Sequence, residues 1–177
     1  AIIAILGHFL LGPMRLIQNA MQDGNMEEAK RIVDSIRFPD LLIKPIRAGY
    51  YTYKGNLAMV NQDLKNAETM MKKGLSLGGT LTKQNEGPVK LQLGMLSMQK
   101  GDMRQAESYI RQAIKSGLSD KEEKATAYLF LHKIMSNRRE FKAAKEYLRM
   151  AKSYKPSSPQ ILEQIKQAEK YITRMPG

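Results

Sequence analysis

The chain has 177 residues (20.1 kDa), 42% hydrophobic and 26% charged, so it can bury a core as one domain or as a short repeat array. It has no Cys and only two His, His8 and His132, which excludes disulfides, thiolate metal sites and thiol catalysis and leaves little for a histidine relay. Its formal charge of +12, with a pI near 9.8, draws it toward acidic partners, nucleic acid or anionic lipid.

Residues 1–12 are apolar apart from His8. As a helix they rise about 18 Å, against roughly 30 Å of bilayer hydrocarbon. They read as the end of a membrane anchor that tethers the rest of the chain. The alternative is an apolar helix that docks on the first repeat as a cap. No small-x-small cleavage site precedes Pro13, so a removable signal peptide is not supported. The expected localisation is at a membrane through the N-terminus, with a cytoplasmic protein as the alternative.

Self-similarity then runs through the chain. Gly24-Asn25-Met26-Glu27-Glu28-Ala29 is echoed by Gln62-Asp63-Leu64-Lys65-Asn66-Ala67, by Gly101-Asp102-Met103-Arg104-Gln105-Ala106 and by Arg139-Glu140-Phe141-Lys142-Ala143-Ala144. The four alanines are spaced by 38, 39 and 38 residues. In each copy a polar or Gly-containing turn separates two amphipathic helical stretches. The second stretch carries a large apolar residue after the turn, a small one three later and a large one four beyond. Met103, Ala106 and Ile110 therefore share a face, as do Phe141, Ala144 and Leu148. Gly55 and Gly94 sit at matching places in first stretches. Since Gly in a helix costs about 1 kcal/mol relative to Ala, a close approach between paired helices is the expected reason. His132, in the corresponding part of the fourth copy, is expected to be a partly buried structural residue, and Tyr50, Tyr51 and Tyr53 to be interhelical packing. At the end of the chain Ser158 and Pro159 have N-cap and first-turn chemistry. Ile161, Leu162, Ile165, Ala168 and Ile172 form one apolar face of a helix that covers the stack.

These repeats resemble the tetratricopeptide repeat (TPR). The family's small and large positions correspond to Leu93-Gly94, Ala106, Ile110 and Ala113 in the third copy. The fourth supplies Tyr128, Leu131, Ala144, Leu148, Ala151 and Pro156, and the second Tyr51, Gly55, Ala67 and Met71, with Gly74 in place of the last Ala. The first supplies Leu16, Ala29 and Val33, with Ile36 for the last Ala. The resemblance implies an all-α fold, a right-handed α-solenoid of four TPR-like helical hairpins at about 13–40, 41–80, 86–118 and 119–156. The apolar helix of 1–12 precedes them and a capping helix at 157–177 follows. The family repeat has 34 residues, so each copy is longer by about one helical turn. The excess falls between units. Ser119-Asp120-Lys121-Glu122 has the form of a capping box that starts the fourth unit early, whereas Asn85-Glu86-Gly87-Pro88 is expected to be loop.

The resemblance further implies that first helices line a concave face that binds another protein or a peptide segment, without catalysis. Projected onto that face are Met14, Gln18 and Met21, then Thr52, Asn56 and Met59, then Leu91, Met95 and Met98, and finally Leu129, Lys133 and Ser136. Five of these are Met, a flexible side chain suited to adaptable apolar surfaces. The other reading of a Met stripe at helical spacing is packing between units. Only Asn56 matches the Lys/Asn arrangement with which some relatives hold a terminal carboxylate, so that receptor type is disfavoured. No phosphate loop, nucleophile elbow, zinc-binding helix or calcium loop occurs, and no cofactor is expected. Charge offers a different partner. Residues 41–119 hold twelve basic and five acidic groups and residues 120–177 thirteen and seven, so a basic solenoid bound to RNA or an anionic membrane surface is the alternative function.

Overall fold

One three-residue turn recurs at the centre of every hairpin and sets the architecture. The computed structural model describes residues 14–78 and 80–173, apart from the side chains of 80–85. Helix α1 passes through residues 14–22 and α2 spans Met26–Ser35. There follow α3 (Lys44–Val60), α4 (Leu64–Ser76), α5 (Thr80–Gln99), α6 (Met103–Ser116), α7 (Lys121–Asn137), α8 (Phe141–Ser153) and α9 (Pro159–Ile172). Among the described residues there is no strand. The all-helical fold of paired helices expected from the repeat is therefore observed. The expected N-terminal segment 1–12 lies outside the described residues.

The middle residue of each turn, Gly24, Gln62, Gly101 or Arg139, is left-handed, with φ of +74°, +60°, +80° and +62°. The third residue's N–H reaches back to a carbonyl of the helix just ended, from Asn25 to Ala20 at 2.8 Å and from Asp63 to Ala58, Asp102 to Ser97 and Glu140 to Met135 at 2.9 Å. This is the Schellman ending, which satisfies carbonyls that a helix otherwise leaves bare. The same residue then caps the next helix. Asn25, Asp63 and Asp102 accept the N–H three residues on, from Glu28, Asn66 and Gln105, at 3.2, 3.1 and 2.9 Å. Glu140 has one methylene too many and makes no such bond. With one residue ending a helix and starting its partner, the two can only run back antiparallel.

The chain divides into two compact units, 1–85 and 86–177. In the first, Ile17, Ala29, Val33, Tyr50 and Tyr51 form the core. Ala67 and Met71 of α4 are fully buried, and Gly55 of α3 lies against them. A Cβ on Gly55 would stand 2.7 Å from Met71 Cγ and 3.1 Å from the Ala67 carbonyl oxygen, so the close approach read from the sequence is present. Tyr50 meets Tyr51 edge-on at 5.2 Å, and the Tyr51 hydroxyl receives a 2.7 Å hydrogen bond from Lys73 on α4, the packing role expected of these rings. Between α2 and α3 a short 3-10 turn, Pro39–Leu41, leaves Phe38 and Leu41 70% and 80% exposed.

In the second unit Ala106, Ile110, Ala113, Ala144 and Ala151 are fully buried, and Leu131, Ile134 and Leu148 join them in one core. Gly94 repeats the Gly55 arrangement, since a Cβ there would sit 2.6 Å from Ile110 Cγ1. The expected loop at Asn85–Pro88 is instead helix, because α5 continues through Pro88. Proline removes one helical N–H and disfavours the preceding turn. Packing outweighs it here: Val89, Leu91 and Leu93 are 5%, 5% and 0% exposed, and a Cβ on Gly87 would come within 2.0 Å of the Gly117 carbonyl oxygen. The start of α7 also differs from expectation. Its N-cap is Asp120 rather than Ser119, and the carboxylate of Glu123 takes the Asp120 N–H, which is half a capping box displaced by one residue. Glu122 is thereby free to turn to the α8–α9 connection, where it accepts from the Ser157 N–H and hydroxyl at 2.7 and 2.9 Å and from the Ser158 N–H at 3.3 Å. Ser158 is the N-cap residue of α9, but its side chain makes no capping bond.

Candidate functional site

The second unit contains a cleft of about 470 Å³ between α7 and α9. Alpha-helical spacing explains its walls. Leu129, Phe130, His132, Lys133, Ser136 and Asn137 recur at intervals of three and four along one side of α7. Gln164, Gln167, Ala168 and Tyr171 do the same on α9. The adjoining side of α9 is anchored by buried Ile165, by half-buried Ile161 and Ile172, and by an ion pair from Lys152 to Glu169. With Glu122 pinning the connection, α9 stands as a fixed second wall.

His132 lies at the base of this side of α7, 5% exposed. Its Nδ1 is 3.0 Å from the Ala144 carbonyl oxygen of α8, so Nδ1 carries the proton and donates. Burial pulls the imidazole below its ordinary pKa, against a smaller opposing effect of that hydrogen bond. The ring is therefore neutral near pH 7, as the structural reading of this residue expects. Ser136, also buried, has a hydroxyl with no hydrogen-bond partner. Lys133 is exposed and forms no ion pair among the described residues. Gln167 is held by Glu163, its Nε2 donating to Oε1 at 3.2 Å. The arrangement offers no nucleophile–base pair. It offers an apolar floor with several hydrogen-bonding groups and one cation, the composition of a ligand-binding concavity.

The residues projected onto a binding face do not share one environment. Leu129, Lys133 and Ser136 come together in the cleft. Leu91 and Leu129 are buried in the core at 5% exposure each, so Leu129 contributes a wall and Leu91 no open surface. Met14 and Met21 pack on the core of the first unit and Met98 on that of the second, which favours packing as the role of these three. Gln18 is exposed, and Met59 and Met95 are half-buried. Thr52 is half-buried and donates to the Ala48 carbonyl at 3.0 Å, while Asn56 keeps a buried side-chain oxygen without a partner. Sequence projection missed Gln164, Gln167 and Tyr171. The only signal was their common spacing on α9, outside its apolar stripe.

No protein-family model and no curated protein matches the chain. Solved structures do. One is a chain of the APC/C hetero-tetramer Cut9–Hcn1, with a TM-score of 0.72 and 16% identity over 88% of this chain. Another is BtubC (BKLC) from P. vanneervenii, at 0.67 and 15% over 88%, and a third is YrrB, a TPR protein with an unusual peptide-binding site, at 0.60 and 16% over 92%. The fold is that of the tetratricopeptide repeat. The chain spans 29%, 69% and 77% of those three chains, and at such low identity the TPR likeness transfers the fold alone.

Proposed function

We propose that this TPR-type chain is a non-enzymatic adaptor that holds a segment of a partner protein in the cleft between α7 and α9. The observation that carries the reading is the cleft itself. Its volume of about 470 Å³ falls within the usual range for ligand sites, roughly 300–1,000 Å³. It is walled by two helices held by the core of the unit, and its lining combines Leu129, Phe130 and Tyr171 with Lys133, Gln164 and Gln167. The peptide-binding site of YrrB, a fold neighbour, supports the same kind of occupant.

Panning a random peptide library against the chain tests it. Peptides that bind the native chain, lose binding on Tyr171→Ala and Gln164→Glu, and keep it on Lys145→Glu of the outer α8 surface are the expected result. A library that returns no binder, or only binders indifferent to both cleft substitutions, overturns it.

Tethering at a membrane is a second part of the proposal and rests on the apolar residues 1–12 alone. No described helix is long and apolar enough to cross a bilayer. Partition of the chain into liposomes, abolished by deleting residues 1–12, is the expected outcome, and equal partition without them refutes the tether.

A further inference from the structure

The charge around the α7–α9 cleft narrows the chemistry of its occupant. Several cations of this unit are answered by acids. Arg138 and Arg111 share Glu107, at 2.5 and 2.8 Å, Arg149 is bound by Glu146 at 2.5 Å, and Lys152 by Glu169. The cleft lining differs, because it contains no carboxylate at all. Glu163, the nearest acid along α9, is turned to the Gln167 amide. Lys133 meets no counter-charge among the described residues, and the buried Ser136 hydroxyl beside it in the lining has no partner. A buried polar group left unpaired is costly, so a site that keeps one is completed when a ligand supplies the missing group. Around these polar groups lie Leu129, half-buried Phe130 and Tyr171, a residue 46% exposed.

We infer that the cleft recognises an acidic peptide segment, with a carboxylate side chain set beside an apolar one. The carboxylate pairs with Lys133 and accepts from the Ser136 hydroxyl and the cleft carboxamides. The apolar neighbour lies against Phe130 and Tyr171. A charge-assisted hydrogen bond in a partly desolvated cleft is stronger than a neutral one and rejects a cationic peptide by repulsion. This inference rests on the cleft being the peptide site proposed above.

The test uses three fluorescein-labelled ten-residue peptides that differ only in a central Leu-Glu-Leu-Glu, Leu-Gln-Leu-Gln or Leu-Lys-Leu-Lys, measured by fluorescence polarisation on the whole chain. The Glu peptide is expected to bind at least tenfold more tightly than the Gln peptide, with the Lys peptide weakest. Lys133→Glu, at an exposed position that leaves the fold intact by circular dichroism, removes that preference. Lys145→Glu changes the net charge equally and retains it. Equal binding of the Glu and Gln peptides overturns the acidic preference while leaving the peptide-binding reading in place. Equal losses from Lys133→Glu and Lys145→Glu reduce the preference to bulk attraction by a basic protein and overturn the site. Failure of all three peptides overturns this inference, while library panning separately decides whether the cleft binds peptide.

Discussion

The hairpins α5–α6 and α7–α8 fill the same slot by opposite means. In α5 the residue facing the small Ala of the second helix is Gly94, and the space a Cβ would need is taken by Ile110. In α7 the corresponding residue is His132, whose imidazole enters the pair and bonds the Ala144 carbonyl. The α3–α4 hairpin resembles the first case, with Gly55 against Ala67 and Met71. A repeat therefore conserves the geometry of the pair and not the chemistry of the slot. One pair closes by omitting a side chain, the other by burying a polar ring that has to be satisfied.

The largest expected effect comes from erasing this difference on the histidine side. His132→Gly removes a buried ring and adds a glycine to the middle of α7, and loses about 3 kcal/mol of stability in chemical denaturation. A loss below about 1 kcal/mol would show that the ring does not fill the slot. The native protein also carries a pH signature. Burial holds the folded imidazole below its ordinary value near 6.5, so the unfolded chain takes up the proton first. The contribution of a neutral His132 is complete above that pH and is lost as pH falls from about 6.5 toward the lower folded value. Comparing denaturation midpoints with those of His132→Leu, which lacks this dependence, isolates it. A steeper acid loss in the Leu variant would contradict the assignment.

On the glycine side, Gly94→Ala improves helix propensity by about 1 kcal/mol yet forces Ile110 aside. Its Cγ1 is attached next to the backbone and cannot swing clear, so the net result is a loss of about 2 kcal/mol, within the range for overpacking. Relief of that loss by Ile110→Ala in a double-mutant cycle identifies the clash, and strict additivity would refute it.

Much of this comparison was legible beforehand. The period of the alanines located the hairpins, and Gly55 and Gly94 announced their close approach because a helix otherwise avoids glycine. Three features were not legible, each for a physical reason. Pro88 signals a helix break locally, but burial of Val89, Leu91 and Leu93 outweighs it. Leu91 was projected to the open face from helical spacing, and it packs into the core of the second unit instead. Helical spacing marks an apolar side of α5 and does not say whether that side meets solvent or a neighbouring helix. The cleft joins α7 to polar residues of α9, and nothing in either helix alone indicates which of its polar faces meets the other.

The smallest expected effect lies in the turns, where two hairpins use glycine and two do not. Gly24 and Gly101 adopt positive φ without penalty, whereas Gln62 and Arg139 hold φ of +60° and +62° against the steric preference of an L residue. A left-handed non-glycine costs about 1–2 kcal/mol. Part of this is returned, because glycine is more flexible in the unfolded chain. Arg139→Gly is therefore expected to stabilise the protein by about 1 kcal/mol. Among the described residues the Arg139 side chain makes no ion pair or hydrogen bond, and its backbone N–H, which donates to the Ser136 carbonyl at 3.0 Å, is kept by glycine, so the substitution removes no contact that would mask the gain. The converse, Gly101→Ala, should lose a similar amount, since an added Cβ there meets nothing within 4 Å and the backbone alone bears the strain. Thermal melts of the two variants should move in opposite directions. If Arg139→Gly falls as well, φ does not decide which residue the Schellman turn takes, and the glycine in half the repeats has a cause other than φ.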